Sequence, residues 1–112
     1  MLPKKNRLNL KLDFKPTTQQ GKRFQTKNLT IFISPNELGK TYAGIATSKR
    51  SFNKAVLRNK ARRIVSLAIQ NQFKNLRLGV NIVIMPKQGV LQTPLASIEK
   101  ELKSVKDLYY SN

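Results

Sequence analysis

The chain contains no cysteine, no histidine and no tryptophan, and only 5 of its 112 residues are acidic. Without cysteine there is neither a disulfide framework nor a thiolate-held metal, and redox chemistry says nothing about the compartment. Without histidine or cysteine the usual general bases, nucleophiles and zinc ligands are missing. The carboxylates are Asp13, Glu37, Glu99, Glu101 and Asp107. Three of them fall on one expected carboxy-terminal helix, where Glu99 and Glu101 point to different faces and Asp107 lies far along. No set emerges that would hold two ions about 3.5 to 4 Å apart, as a two-metal nuclease requires. The chain is not expected to be a catalyst by itself. No apolar run approaches the roughly 20 residues that span a bilayer, and the amino terminus lacks the apolar core of a secretory signal. A cytoplasmic protein without membrane attachment is the expectation, and no obligate protein partner is implied.

Against the 5 acids stand 22 lysines and arginines, a formal net charge of +17. Such a chain repels itself when compact and gains stability from an anionic partner. Nucleic acid is the leading candidate, a membrane surface the weaker one. The length suits one domain with one modest core, and aliphatic residues are plentiful enough to build it.

The densest charge lies in Ser48 to Phe73, SKRSFNKAVLRNKARRIVSLAIQNQF. Glycine and proline are absent through this stretch, helix formers dominate after Lys54, and Ser51 is a plausible N-cap. Helical spacing gathers Leu57, Ala61, Ile64, Val65 and Ala68 into one apolar stripe. Arg58, Asn59, Arg62, Arg63 and Ser66 fall on the opposite side, with Lys60 at its margin. The plain reading is a solvated face that keeps the helix soluble. However, no Asp or Glu occurs between Glu37 and Glu99, so no i,i+4 ion pair offsets the repulsion. A polyanion does, and RNA or DNA contact is the better reading.

Around this helix the chain reads in order. Residues 1–12 carry Lys4, Lys5, Arg7 and Lys11 and form either a flexible basic arm or the lead into a short helix ending at Gly21. Pro16 implies that such a helix begins close to it or is kinked there. Gly21 to Lys27 reads as a turn with a brief strand. Asn28 to Ser34 is a strand with Leu29, Ile31 and Ile33 on one face and Thr30, Phe32 and Ser34 on the other. Phe32 is then either an aromatic covered by a helix or a platform on which a base stacks. Lys40 to Thr47 is a second strand, expected to form a hairpin with the first. Val80 to Met85 is an apolar strand buried on both faces. Gln88 to Thr93 is a loop. Pro94 opens a last helix whose stripe is Leu95, Ile98, Leu102, Val105 and Tyr109. The result is a small layered domain with one sheet and helices against it.

At Leu57 to Ile64, LRNKARRI, the sequence resembles the bacterial ribonuclease P protein component, whose signature runs Arg-Asn-Arg, two residues, then further cations. Ser48, Lys49 and Arg50 resemble its Ser-Lys-Lys lead-in, and Lys54 matches a lysine before the motif. Asp13, Phe14, Gly21 and Lys22 resemble its amino-terminal elements, and NIVIMPKQG at Asn81 to Gly89 its last strand and basic turn. The resemblance implies a single small α/β domain (an α+β sandwich) ordered αβββαβα, with a central mixed sheet and a left-handed crossover through the basic helix. It implies the protein subunit of an endoribonuclease that removes the 5′ leader from precursor tRNA, with the Mg²⁺ ions held mainly by the RNA subunit and none by this chain alone. Carried over by position, Arg58, Asn59, Lys60, Arg62 and Arg63 would contact the ribonuclease P RNA. Phe14, Phe32, Lys49, Arg50, Lys54 and Lys87 would flank the single-stranded leader. The chain departs from the family pattern at Thr18, where a second aromatic is frequent, at Pro16 inside a helical segment, and at Ser66, where another Arg is common. The rival reading is a ribosomal or other structural RNA-binding protein, similar in charge and size but with no substrate cleft.

Overall fold

The structure, a computed structural model, describes residues 2–110. Its elements are α1 (Leu10–Gln20), β1 (Lys22–Gln25), β2 (Leu29–Pro35), β3 (Tyr42–Ile45), α2 (Ala55–Gln72), β4 (Val80–Pro86) and α3 (Leu95–Ser104). The order is the αβββαβα that the resemblance implies.

The four strands form one mixed sheet in the order β1-β2-β4-β3. β1 and β2 are an antiparallel hairpin, β2 runs antiparallel to β4, and β3 runs parallel to β4. The expected hairpin between β2 and β3 does not form, because β4 lies between them. The reason is burial. β4 is apolar on both faces, with Ile82, Val83 and Ile84 all fully buried, so it takes a central place. The short β3 takes an edge. A parallel pair needs a long connection, and the segment containing α2 supplies it.

Alternation along the strands separates two layers. Leu29, Ile31, Ile33, Ala43, Val80, Ile82 and Ile84 share one core with Ala61, Val65, Ala68 and Ile69 of α2 and Ile98 and Leu102 of α3. Val83 points to the other face, where α1 crosses β2 and β4. Leu10 of α1 meets this face at Gly44, where an added Cβ would lie 2.7 Å from the leucine side chain.

Several local expectations shift. Helix α1 begins at Leu10, well before Pro16, and continues past it to Gln20. Both Pro16 and Leu12 are exposed, so the Leu12 carbonyl left without its amide partner is free to meet water. The α2 helix starts later than expected. Ser51 donates its amide to the Ser48 hydroxyl at 3.1 Å, and the Phe52 amide bonds the Ser48 carbonyl at 3.0 Å. This turn sends Phe52 into the core, and Lys54 rather than Ser51 becomes the N-cap residue. Ser66 is buried instead of lying on the charged face. The amino-terminal segment covers that flank, with Leu2, Leu8, Leu10, Arg62 and Ser66 lining a common cavity of 160 Å³. Leu8 hydrogen-bonds Ala43 at 3.0 Å, and Arg7 bridges to the same strand in parallel. The segment thus adds one rung to the β3 edge.

Gln88–Gln92, expected as a loop, is a 3-10 helix. Helix α3 stops at Ser104, short of Tyr109, because Val105 is extended and the next 3-10 turn swings Leu108 into the core. Tyr109 lies beyond that turn and donates its hydroxyl to Gln72 Oε1. Burial, and secondarily Glu99, holds the phenol above its ordinary pKa.

Candidate nucleic-acid interface

An α2 of 18 residues rising about 1.5 Å per residue is about 27 Å long, close to the 28 Å middle dimension of the molecule. Its buried stripe presses it on the sheet, so its cations lie along one exposed edge. They are not equivalent. Arg58 is half-buried and donates to the Phe52 carbonyl at 2.8 Å, pinning the turn ahead of the helix. Arg62 donates to Thr47 Oγ1 at 3.2 Å and to Asn59 Oδ1, which ties its guanidinium to the chain after β3 and to the preceding turn of α2. Lys60 and Arg63 are exposed and reach solvent. Val56, Asn59, Arg62 and Arg63 together line an open groove.

The second feature is a cleft of 220 Å³ on the face that α1 also occupies. Phe32, Thr30 and Met85 supply its sheet side. Arg23, Ser48, Ser51 and Lys87 stand around it, and no carboxylate of the described residues lines it. Arg23 is the direct cross-strand partner of Phe32, so a guanidinium and an aromatic ring share one face. Three hydroxyls, two cations and one ring fit an unpaired nucleotide: cations for phosphate, the ring for a base. Lys87 is half-buried, and its ammonium donates to the Thr26 carbonyl at 2.9 Å, leaving two donors. Lys49 and Arg50 are exposed in the turn that follows Ser48, and Lys54 is exposed at the start of α2. The N-terminus of α2 has no acid in its first turn and no side-chain cap, so its positive dipole end adds to these cations.

The structure therefore brings Phe32 and Lys87 together in the cleft and sets Lys49, Arg50 and Lys54 near its Ser48–Ser51 wall. Phe14 is half-buried on the side of α1 that carries Leu10 and Thr17, and is not part of the lining. Sequence reasoning missed Arg23 and Met85. Alternation finds them once the registers are known, β1–β2 for Arg23, opposite Phe32, and β2–β4 for Met85, opposite Thr30.

The carboxylates are dispersed, and among the described residues no three His, Cys, Asp or Glu side chains gather as metal ligands. Glu101 accepts from Thr26 Oγ1 at 2.5 Å and from the Asn28 amide and side chain at 2.7 Å each. Glu99 accepts from Asn71 at 3.4 Å, and Asp107 pairs with Lys22 at 3.8 Å. These carboxylates accept from protein donors and do not converge, so they do not fit a Mg²⁺ site. No helix of the described residues is long and apolar enough to cross a membrane.

Comparison with known proteins gives the family and the fold. The family described as Ribonuclease P matches residues 2–109. A ribonuclease P protein component from Picosynechococcus sp. is 33% identical over 102 residues, 91% of this chain and 88% of that protein. One from Clostridioides difficile is 30% identical over 94 residues, covering 83% and 82%. Among solved structures, the RNase P protein from Thermotoga maritima superposes with a TM-score of 0.81 at 24% identity over 95% of this chain and 100% of that one. The Staphylococcus aureus RNase P protein gives 0.79 at 20% identity over 94% and 98%. At these identities the structures speak for the fold.

Proposed function

Since the chain belongs to the bacterial ribonuclease P protein family, we propose that its two basic features serve two RNAs within the ribonuclease P holoenzyme. The α2 edge, with Arg58, Asn59, Lys60, Arg62 and Arg63, binds the ribonuclease P RNA. The cleft and its rim, with Phe32, Lys49, Arg50, Lys54 and Lys87, hold the single-stranded 5′ leader of precursor tRNA. Phe14, on the helix packed over the same sheet face, borders the leader path. The protein works in the cytoplasm, and the RNA subunit holds the Mg²⁺ that the hydrolysis needs.

The observation that carries this reading is the cleft itself. An aromatic ring between cations, with no carboxylate in the lining, suits a strand of unpaired nucleotides and has no use in a protein that only coats folded RNA. Phosphate contacts along α2 give affinity and orientation but little sequence information. The chain's residues thus bind and position, and no chemical step passes through them.

The test is cleavage of a 5′-leader precursor tRNA at low Mg²⁺ by the protein alone, by its cognate ribonuclease P RNA alone, and by both. Activity that appears or rises only in the mixture is the expected result. Cleavage by the protein alone would overturn the division of labour. Unaltered cleavage in the mixture, with RNA binding intact, would leave a structural RNA-binding protein.

A further inference from the structure

Glu101 stands on α3, outside the cleft lining, yet its carboxylate accepts three hydrogen bonds. It accepts from Thr26 Oγ1 at 2.5 Å, the Asn28 amide at 2.7 Å and Asn28 Nδ2 at 2.7 Å. These residues form the turn between β1 and β2. The same turn holds Lys87 twice. The Thr26 carbonyl accepts the Lys87 ammonium at 2.9 Å, and the Asn28 carbonyl accepts the Lys87 amide at 2.8 Å. Asn28 is buried, and an added Cβ at Gly89 would lie 2.4 Å from its Oδ1, so the chain leaving β4 is fitted against this turn.

We infer that Glu101 is a positioning residue for leader binding: by locking the Thr26–Asn28 turn it fixes the carbonyl that aims the Lys87 ammonium into the cleft. The inference rests on the reading of Lys87 as a leader contact. Charged acceptors make stronger hydrogen bonds than neutral ones, so a carboxylate clamps the turn more firmly than an amide can. A carboxylate accepts from all three donors, whereas a glutamine must turn its NH₂ toward at least one of them.

This assignment runs against bulk charge. Glu101→Gln raises the net positive charge by one, and charge alone then predicts tighter binding of every RNA. Positioning predicts a selective loss. The experiment uses the reconstituted holoenzyme and measures affinity for leader-bearing precursor tRNA and for mature tRNA. The variants are Glu101→Gln, Lys87→Ala and the pair, with thermal melts of each. Glu101→Gln is expected to lower the affinity gained from the leader by about threefold to tenfold, the range of one lost hydrogen bond, with mature tRNA unchanged. In the Lys87→Ala background the same substitution is expected to have no further effect on the leader, because both act through one ammonium. Thr26→Ala, which removes one of the clamped donors, should repeat that non-additivity if Glu101→Gln folds poorly.

A full Glu101 effect persisting without the Lys87 ammonium overturns the inference, as does a uniform rise in affinity for both RNAs. A loss of melting temperature with the leader preference intact also overturns it, and leaves Glu101 a purely structural acid. If Lys87→Ala itself spares the leader preference, the leader reading of Lys87 falls and this inference falls with it.

Discussion

Arg58 and Arg63 carry the same charge on one helix but are tied to the fold differently. Arg58 spends a donor on the Phe52 carbonyl, whereas Arg63 is exposed. Arg63→Ala should therefore weaken association with the ribonuclease P RNA and lower the slope of log affinity against log salt by about 1, with no loss of melting temperature. Arg58→Ala should weaken association and also destabilise the fold by roughly 1.5 to 3 kcal/mol, the worth of a hydrogen bond from a charged group. Melts and salt titrations of the two variants separate these outcomes. Tyr109 gives a residue-scale dependence on pH. Its phenol pKa is raised in the folded state, chiefly by burial and further by Glu99. The folded state therefore holds its proton more tightly than the unfolded one. The contribution is fully present below the unfolded pKa of about 10 and is lost as pH rises through the folded value. Tyr109→Phe loses the bond to Gln72 at neutral pH, and the stability gap between it and the unaltered protein should narrow above pH 10 in denaturant titrations. Legibility at this scale followed alternation. Alternation places Phe32 on the correct face because β2 is a clean strand, but its neighbour Arg23 needs a register that KRFQ does not carry. Ser66 departs from its helical projection because a projection cannot see the amino-terminal segment that packs beside it.

Among the elements, α2 begins under electrostatic strain. Lys54 occupies the N-cap position with extended backbone and no side-chain bond to the helix, and the first turn has no acid. Aspartate is well suited to that geometry and to the positive end of the helix dipole. Lys54→Asp is expected to stabilise the fold by about 0.5 to 2 kcal/mol while weakening binding of leader-bearing precursor tRNA. A melt that rises while affinity falls would identify a position kept cationic at the expense of stability. An unchanged affinity would remove Lys54 from the leader path. Periodicity made α2, β2, β4 and the start of α3 readable in the sequence, since each buries a regular stripe or a continuous apolar run. Their ends were harder. The start of α2 is displaced by Phe52 reaching for the core, and the end of α3 by Leu108 doing the same. A pattern of spacing registers neither, because each depends on where the rest of the core lies.

At the scale of the whole molecule, a net charge of +17 on 112 residues is a standing repulsion that counter-anions relieve. Inorganic polyphosphate, added at constant ionic strength, should raise the melting temperature in a concentration-dependent way. An unchanged melt would mean that self-repulsion is too weak to limit the stability of the fold. The family resemblance was legible from the motif around Arg58, and the sheet's mixed pairing came from that resemblance rather than from local pattern. Local pattern instead joined β2 to β3, since nothing in either strand announces that a later one will come between them. That arrangement also governs how the protein is made. The central strand β4 is the last to be synthesised, and β2 pairs with it across about fifty residues of chain. A nascent chain halted after α2 holds one short hairpin, which is marginal in water, and a separate β3 whose pairing is the single rung from the amino-terminal segment. Leu29, Ile31 and Ile33 then lack the central strand of their core until β4 leaves the ribosome. Folding is consequently a late, long-range closure rather than a progressive one, and the protein's exposure to aggregation is set by the rate at which its final third is translated.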